Sequence, residues 1–229
     1  MKVLDKGFVE VIDTLGNDLT VVNSARVSFG KRKTKWDKSD ERLVRYLAKH
    51  KHHSPFRHLQ IQFHIKAPEF VMRQWYKHVV GIETTSNSST KDHAWNEISG
   101  RYVPVEDYYY PPYFRKQSDD NKQGSEGNIE DQKQGYFLWE KGLHQIQETY
   151  KELLELGVAK EQARAILPLS QYTEVYWTAS FQAIMNFIEL RNEKTSQWEI
   201  QEYAKSLLDL MYDSFPKTTK IWSEAHEWL

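Results

Sequence analysis

Cysteine is absent from all 229 residues. That zero removes disulfides, thiolate metal sites and every mechanism built on a cysteine nucleophile. An excess of either charge is also missing: 31 Lys and Arg stand against 32 Asp and Glu, a net charge of -1. The field of the whole molecule therefore gives no reason to expect a general nucleic-acid or membrane binder, and any anion site must be local. No run of about 18 apolar residues occurs, and the opening Met1-Lys2-Val3-Leu4-Asp5-Lys6 lacks the apolar segment of a leader. The expectation is a chain neither secreted nor membrane-spanning, in a cytoplasmic setting, with the sequon Asn87-Ser88-Ser89 idle. Missing too are G-x-G-x-x-G, a Walker-type phosphate loop, H-E-x-x-H and G-x-S-x-G, so a Rossmann nicotinamide site has no support.

What is present is the composition of a globule: 39% hydrophobic, 28% charged and 14% aromatic residues, unlike disordered, collagen-like or disulfide-stapled chains. The length suits one domain over 1–229. Phe8 to Ile12 read as a short strand, with a turn at Gly16-Asn17-Asp18 before Leu19 to Val22. Ser39 begins a helix carrying Leu43, Val44 and Leu47, and Pro55 ends that stretch. Leu59, Ile61, Phe63 and Ile65 alternate with Gln60, Gln62, His64 and Lys66, the two-residue repeat of a half-buried strand. Pro68 suits the first turn of a helix over Glu69 to His78, because its missing N–H would have no partner there anyway.

Polar loop insertions are expected near 80–95 and 116–134, the second as a mobile surface excursion. Helices are predicted over Tyr136 to Leu156, stopped by Gly157, over Lys160 to Leu167, stopped by Pro168, and over Thr178 to Leu190. Ser196 and Glu199 have capping-box spacing and would open a last helix through Met211. The class is α+β: a single domain with an antiparallel sheet packed on a helix-rich C-terminal half.

Three clusters could carry chemistry. Asn96-Glu97-Ile98-Ser99-Gly100-Arg101-Tyr102 brings amide, carboxylate, hydroxyl and guanidinium together, a set suited to a phosphorylated heterocycle. It reads equally as a polar turn with a solvated Arg. Arg73 and Lys77 lie four apart on one helical face, with Gln74 and His78 beside them, so an anion or Glu69 must separate the two cations. His50, His52, His53 and His58 invite a metal, but zinc would need further His or carboxylate ligands from distant positions. No metal is expected there; polar contacts or stacking on a ligand are.

These segments resemble, in order and over nearly the whole chain, the flavin-dependent thymidylate synthases. The resemblance rests on Ser24-Ala25-Arg26-Val27-Ser28-Phe29, Ser54-Pro55-Phe56, Phe63-His64-Ile65-Lys66-Ala67-Pro68, Arg73-Gln74-Trp75 and Asn96 to Tyr102. It continues through Ala163 to Leu169, Met185-Asn186-Phe187, Leu190-Arg191 and Gln197-Trp198-Glu199. It implies reductive methylation of dUMP to dTMP, with methylenetetrahydrofolate as carbon donor and NADPH as reductant through bound FAD. It also implies a homotetramer whose active sites are shared between subunits. The unrelated thymidylate synthases attack uracil C6 with a cysteine, and this chain has none.

Position by position, the resemblance implies that Gln74, Lys77, Glu97, Ser99, Gly100, Arg101, Arg164 and Arg191 contact dUMP. Arg101 would take phosphate, Arg191 would stabilise charge developing on the pyrimidine as the catalytic arginine, and Ser99 would serve as a positioning hydroxyl. For FAD the matching places are Ser28, His52, Ser54, Lys77, His78, Asn96, Glu97, Ser180 and Asn186. The chain departs from the family pattern of Arg-His-Arg, seven residues, then Ser. Here the triplet is Lys77-His78-Val79, and 19 residues, Val80 to Ile98, precede Ser99. Lys77 keeps charge without the planar fork, and Lys91 or His93 is expected to replace the lost arginine. Ser180 and Thr195 stand where Asn and His are common. A second reading is a dUMP-binding homologue that has lost turnover.

Overall fold

The computed structural model describes residues 1–78, 93–103, 106–122 and 124–228. Strands β1 (Lys2–Val3) and β2 (Gly7–Leu15) form a tight hairpin, pairing Val3 with Gly7. A side chain at Gly7 would collide with the Tyr203 hydroxyl and the carbonyls of Val3 and Lys66, so the close approach requires glycine there. The turn at Gly16 leads into helix α1 (Asp18–Arg26), because Asn17 and Thr20 form a reciprocal capping box that satisfies the first exposed amides.

Helix α2 (Lys38–Lys49) is opened by Asp37, and a 3-10 turn, Ser54–His58, carries the chain into β3 (Gln60–Pro68). The predicted alternation holds along β3: Ile61, Phe63 and Ile65 are buried while Gln62, His64 and Lys66 are only half-buried. Pro68 is the last strand residue and the N-cap of α3 (Glu69–Trp75), a helix that ends three residues before the expected His78.

After β4 (His93–Glu97) comes a two-stranded hairpin, β5 (Arg115–Gln117) with β6 (Ser125–Asn128), where a mobile excursion was expected. The long α4 (Gln132–Glu155) buries only Leu143, and α5 (Lys160–Ala163) gives way to a 3-10 turn at Arg164–Ile166. The largest correction concerns the next segment. Tyr172–Ser180 is strand β7, where the prediction started a helix at Thr178; α6 runs over Phe181–Arg191. Ser180 ends the strand and caps the helix, its Oγ accepting from the Ala183 amide at 3.3 Å.

A second correction falls on α7 (Trp198–Ser214). Gln197 is its N-cap, and Ser196 instead donates to the Leu190 carbonyl. Glu199 is buried, with both carboxylate oxygens 2.9 Å from Arg115 Nη2 and Oε1 accepting from the Tyr109 hydroxyl. α8 (Pro216–Ala225) completes the chain.

The main sheet has the order β1-β2-β3-β7-β4, antiparallel throughout. One face carries Val9, Ile61, Phe63, Ile65, Val175 and Trp177 into a core shared with Phe187, Tyr203, Leu207 and Trp222 from the helices. Fully burying such side chains contributes about 1.5–3 kcal/mol each. No described helix is long and apolar enough to cross a membrane.

Candidate active site

β4 lies at the edge of the sheet, paired only with β7 among the described strands, so the chain leaving it is free to turn over the end of the neighbouring strand. Ile98 stays tied to β7 through the Glu174 carbonyl, and Tyr102 closes the turn on the Ser99 carbonyl, each at 2.9 Å. This loop forms one wall of a cleft of about 1170 Å³. Glu97, Ser99, Gly100 and Arg101 line it, and Arg164 faces them from the 3-10 turn. Arg164 packs over Gly100, whose missing side chain would otherwise stand within 3.8 Å of it.

The cleft carries charge of both signs, with Glu69, Glu97, Glu106 and Glu161 lining it beside Arg101, Lys151, Lys160 and Arg164. The Arg101 backbone amide and Nε donate only weakly to Ser99 Oγ, at 3.4 and 3.5 Å. Both arginines are exposed. Glu97 accepts from Thr173 Oγ1 at 2.7 Å.

The sequence reading missed Glu69, Tyr108, Lys151 and Lys160, which also line the cleft. None sits in a motif; they come from α3, α4, α5 and, for Tyr108, the segment bridged to Gln171, and only the tertiary fold makes them neighbours. Burial, and then repulsion from Glu97, push the Glu69 carboxyl above the ordinary glutamate value against the pull of Arg73 and Arg164. Tyr76 is pushed up by burial and by the same Glu97.

Gln74, Lys77, His78, Asn186 and Arg191 are not among the cleft walls. They sit at the C-terminal end of α3 and on α6, where a second cluster forms. Gln74 Nε2 donates to Gln197 Oε1 at 2.7 Å, and Arg191 Nε donates to His78 Nε2 at 2.8 Å. His78 packs edge-on against Phe187 with ring centres 5.0 Å apart, and Phe187 stacks on Trp75 at 4.5 Å. Burial first, then the Arg191 charge and His93, lower His78 to about 4. Burial also lowers Arg191 below the ordinary arginine value.

The remaining cofactor candidates are dispersed. Ser28 lies exposed and donates to the Ala25 carbonyl, while Ser54 is exposed at the start of its 3-10 turn. His50 and His52 flank the exposed Tyr46 ring at 4.3 and 5.9 Å, whereas His53 turns inward to Gln182. Asn96 and Lys77 are exposed. Ser180 is fully buried, with its hydroxyl engaged in capping α6.

Lys91 and Val79 lie outside the described residues, as does the predicted 80–95 loop up to residue 92; residues 93–95 belong to β4 instead. His93, the other expected substitute for the lost arginine, stands near His78; its ring stacks on Trp177 and Nδ1 accepts the indole N–H at 2.9 Å.

Residues of the second cluster and of the dispersed set together have the donor chemistry that a flavin dinucleotide needs. Lys77 offers a cation for pyrophosphate, Asn96 and Asn186 offer amides for ring edges, and the Tyr46–His52 stack offers an aromatic face.

Residues 10–217 match the family described as "Thymidylate synthase complementing protein". The flavin-dependent thymidylate synthase of Thermosipho africanus is 40% identical over 220 residues, covering 95% of this chain and 91% of that protein. That of Thermotoga neapolitana is 42% identical over 220 residues, covering 94% and 90%. Among solved structures, the UMP/dUMP methylase PolB of Streptomyces cacaoi, bound with 5-Br dUMP, superposes with a TM-score of 0.83 at 28% identity, covering 98% of this chain and 97% of that one. With the motif residues in place, the sheet and helices arranged alike and relatives matched almost end to end, the chain belongs to the flavin-dependent thymidylate synthases.

Proposed function

We propose that the chain converts dUMP to dTMP with FAD as its flavin, methylenetetrahydrofolate as carbon donor and NADPH as reductant. We further propose that it does so as a homotetramer with active sites shared between subunits. The observation that carries this is the division of the nucleotide residues on one chain. Glu97, Ser99, Gly100, Arg101 and Arg164 line the cleft, whereas Gln74, Lys77 and Arg191 do not. A site completed by a neighbouring subunit reunites the two halves.

Arg101 and Arg164 hold the 5′-phosphate through charge-assisted hydrogen bonds of roughly 1.5–3 kcal/mol each. Ser99 orients rather than attacks: its oxygen accepts from Arg101 N–H groups, and no described base is bonded to it. Glu97, held by Thr173, accepts donors from the nucleotide. Arg191 meets the pyrimidine and stabilises negative charge gathering on its oxygens as C5 becomes nucleophilic. Ser28, His52, Ser54, Lys77, His78, Asn96 and Asn186 hold the flavin, which supplies reducing equivalents when bound.

The test is release of tritium from 5-labelled dUMP by purified protein. Expected is release that requires NADPH and methylenetetrahydrofolate, from a yellow protein whose flavin spectrum changes on adding dUMP. Binding of dUMP with no release under these conditions would instead mean a homologue without turnover.

A further inference from the structure

His78 and Arg191 meet where two helix ends converge: Arg191 is the last residue of α6, and His78 follows α3 by three residues, its amide bonded to the Trp75 carbonyl at 2.9 Å. Their side chains share one hydrogen bond, from Arg191 Nε to His78 Nε2 at 2.8 Å. Arginine is ionised at every working pH, so the acceptor must be an imidazole with a lone pair on Nε2. The proton of that neutral ring then sits on Nδ1. The surroundings enforce this state, since burial and the arginine's own charge keep the ring unprotonated down to about pH 4. Phe187, stacked in turn on Trp75, backs the imidazole from the core side.

A guanidinium can grip a pair of oxygens through either of two edges, the Nε–Nη side or the Nη–Nη end. Here Nε is committed. Among the described residues the two Nη groups of Arg191 make no hydrogen bond, so the end-on fork is open. We propose that His78 is a positioning residue for Arg191: by occupying Nε, it fixes which edge of the guanidinium is presented to the pyrimidine oxygens. The inference rests on the reading of Arg191 given above, and it gives His78 a task apart from flavin contact. Fixing the fork before substrate arrives removes reorientation from the reaction step, and a misplacement of about 1 Å at such a group can cost about 100-fold in rate.

Two measurements test it. In cofactor-free protein labelled with ¹⁵N-histidine, His78 should show one protonated and one unprotonated ring nitrogen, unchanged from pH 8 to about 5. The unprotonated signal should move in Arg191→Met. A ring that titrates near the ordinary histidine value, or a signal indifferent to Arg191→Met, overturns the proposal.

In kinetics at saturating FAD, His78→Phe should lower kcat for tritium release about 100-fold while changing the KM for dUMP less than about threefold. His78→Gln, which keeps an acceptor, should recover most of that loss. In an Arg191→Lys background, His78→Phe should add less than about threefold. A loss seen at limiting FAD but absent at saturating FAD, or repeated in full with Arg191→Lys, would assign His78 to the flavin alone. Wild-type protein that releases no tritium defeats the activity reading, while the ¹⁵N result still decides the pairing.

Discussion

The cleft wall of Arg101 and Arg164 and the helix-end pair of His78 and Arg191 both present cations, yet they are built in opposite ways. The cleft arginines stand exposed on a loop and a 3-10 turn, with at most two weak contacts to Ser99. Arg191 is half-buried on a helix, bonded to His78 and backed by Phe187 and Trp75. Exposed arginines on a loop suit capture of a phosphate, whose charge is large and whose position is forgiving. A pre-set arginine suits charge that develops only in the transition state, where orientation decides the rate.

The contrast can be broken at several points. Trp75→Ala removes the ring under Phe187 and should cost about 3–5 kcal/mol of stability in urea unfolding; a loss below about 1 kcal/mol would mean the pair is not anchored in the core. Arg191→Ala should lower kcat about 10²–10³-fold with a smaller change in dUMP affinity, read from single-turnover rates and equilibrium binding. Arg101→Ala and Arg164→Ala should do the reverse, weakening dUMP binding about tenfold or more while kcat at saturation changes less. If Arg191→Ala and the two cleft variants all lower kcat and affinity in the same proportion, the division of labour is wrong.

The smallest effect concerns Glu69. Its proton is held more tightly in the folded protein than in the unfolded chain, so the fold loses stability as pH rises from the ordinary glutamate value through the raised one. Glu69→Gln should therefore raise Tm at pH 8 by about 1–2 °C and leave it unchanged at about pH 4, measured by calorimetry. A gain that is equal at both pH values would remove the carboxylate repulsion from the account.

Much of this was legible where one local signal dominated. β3 announced itself by strict alternation, and its end by Pro68. The run from Asn96 to Tyr102 marked a polar, chemistry-bearing loop, and the fold placed Glu97 to Arg101 on the cleft. β7 was missed although Val175, Trp177 and Ala179 point inward and Tyr176 outward. The cause is that Phe181 continues directly into α6, so two periods meet with no glycine or proline between them. Ser196 and Glu199 had the spacing of a cap, but long-range bonding outweighed it: Glu199 is held by Arg115, 84 residues earlier. Glu69 was invisible as a cleft residue because its neighbours there come from other elements.

Ser180 sits at the fixed end of a lever. α6 has 11 residues, a rod of about 16 Å at 1.5 Å per residue, anchored on the interior strand β7 at one end and carrying Arg191 at the other. A tilt of only roughly 4° at that anchor would sweep the far end by about 1 Å, the scale on which an aligned catalytic group loses its advantage. A hydroxyl at the foot of the helix thus acts as the bearing of the arm that carries Arg191, and variation at this position would tune the reaction mechanically, through aim.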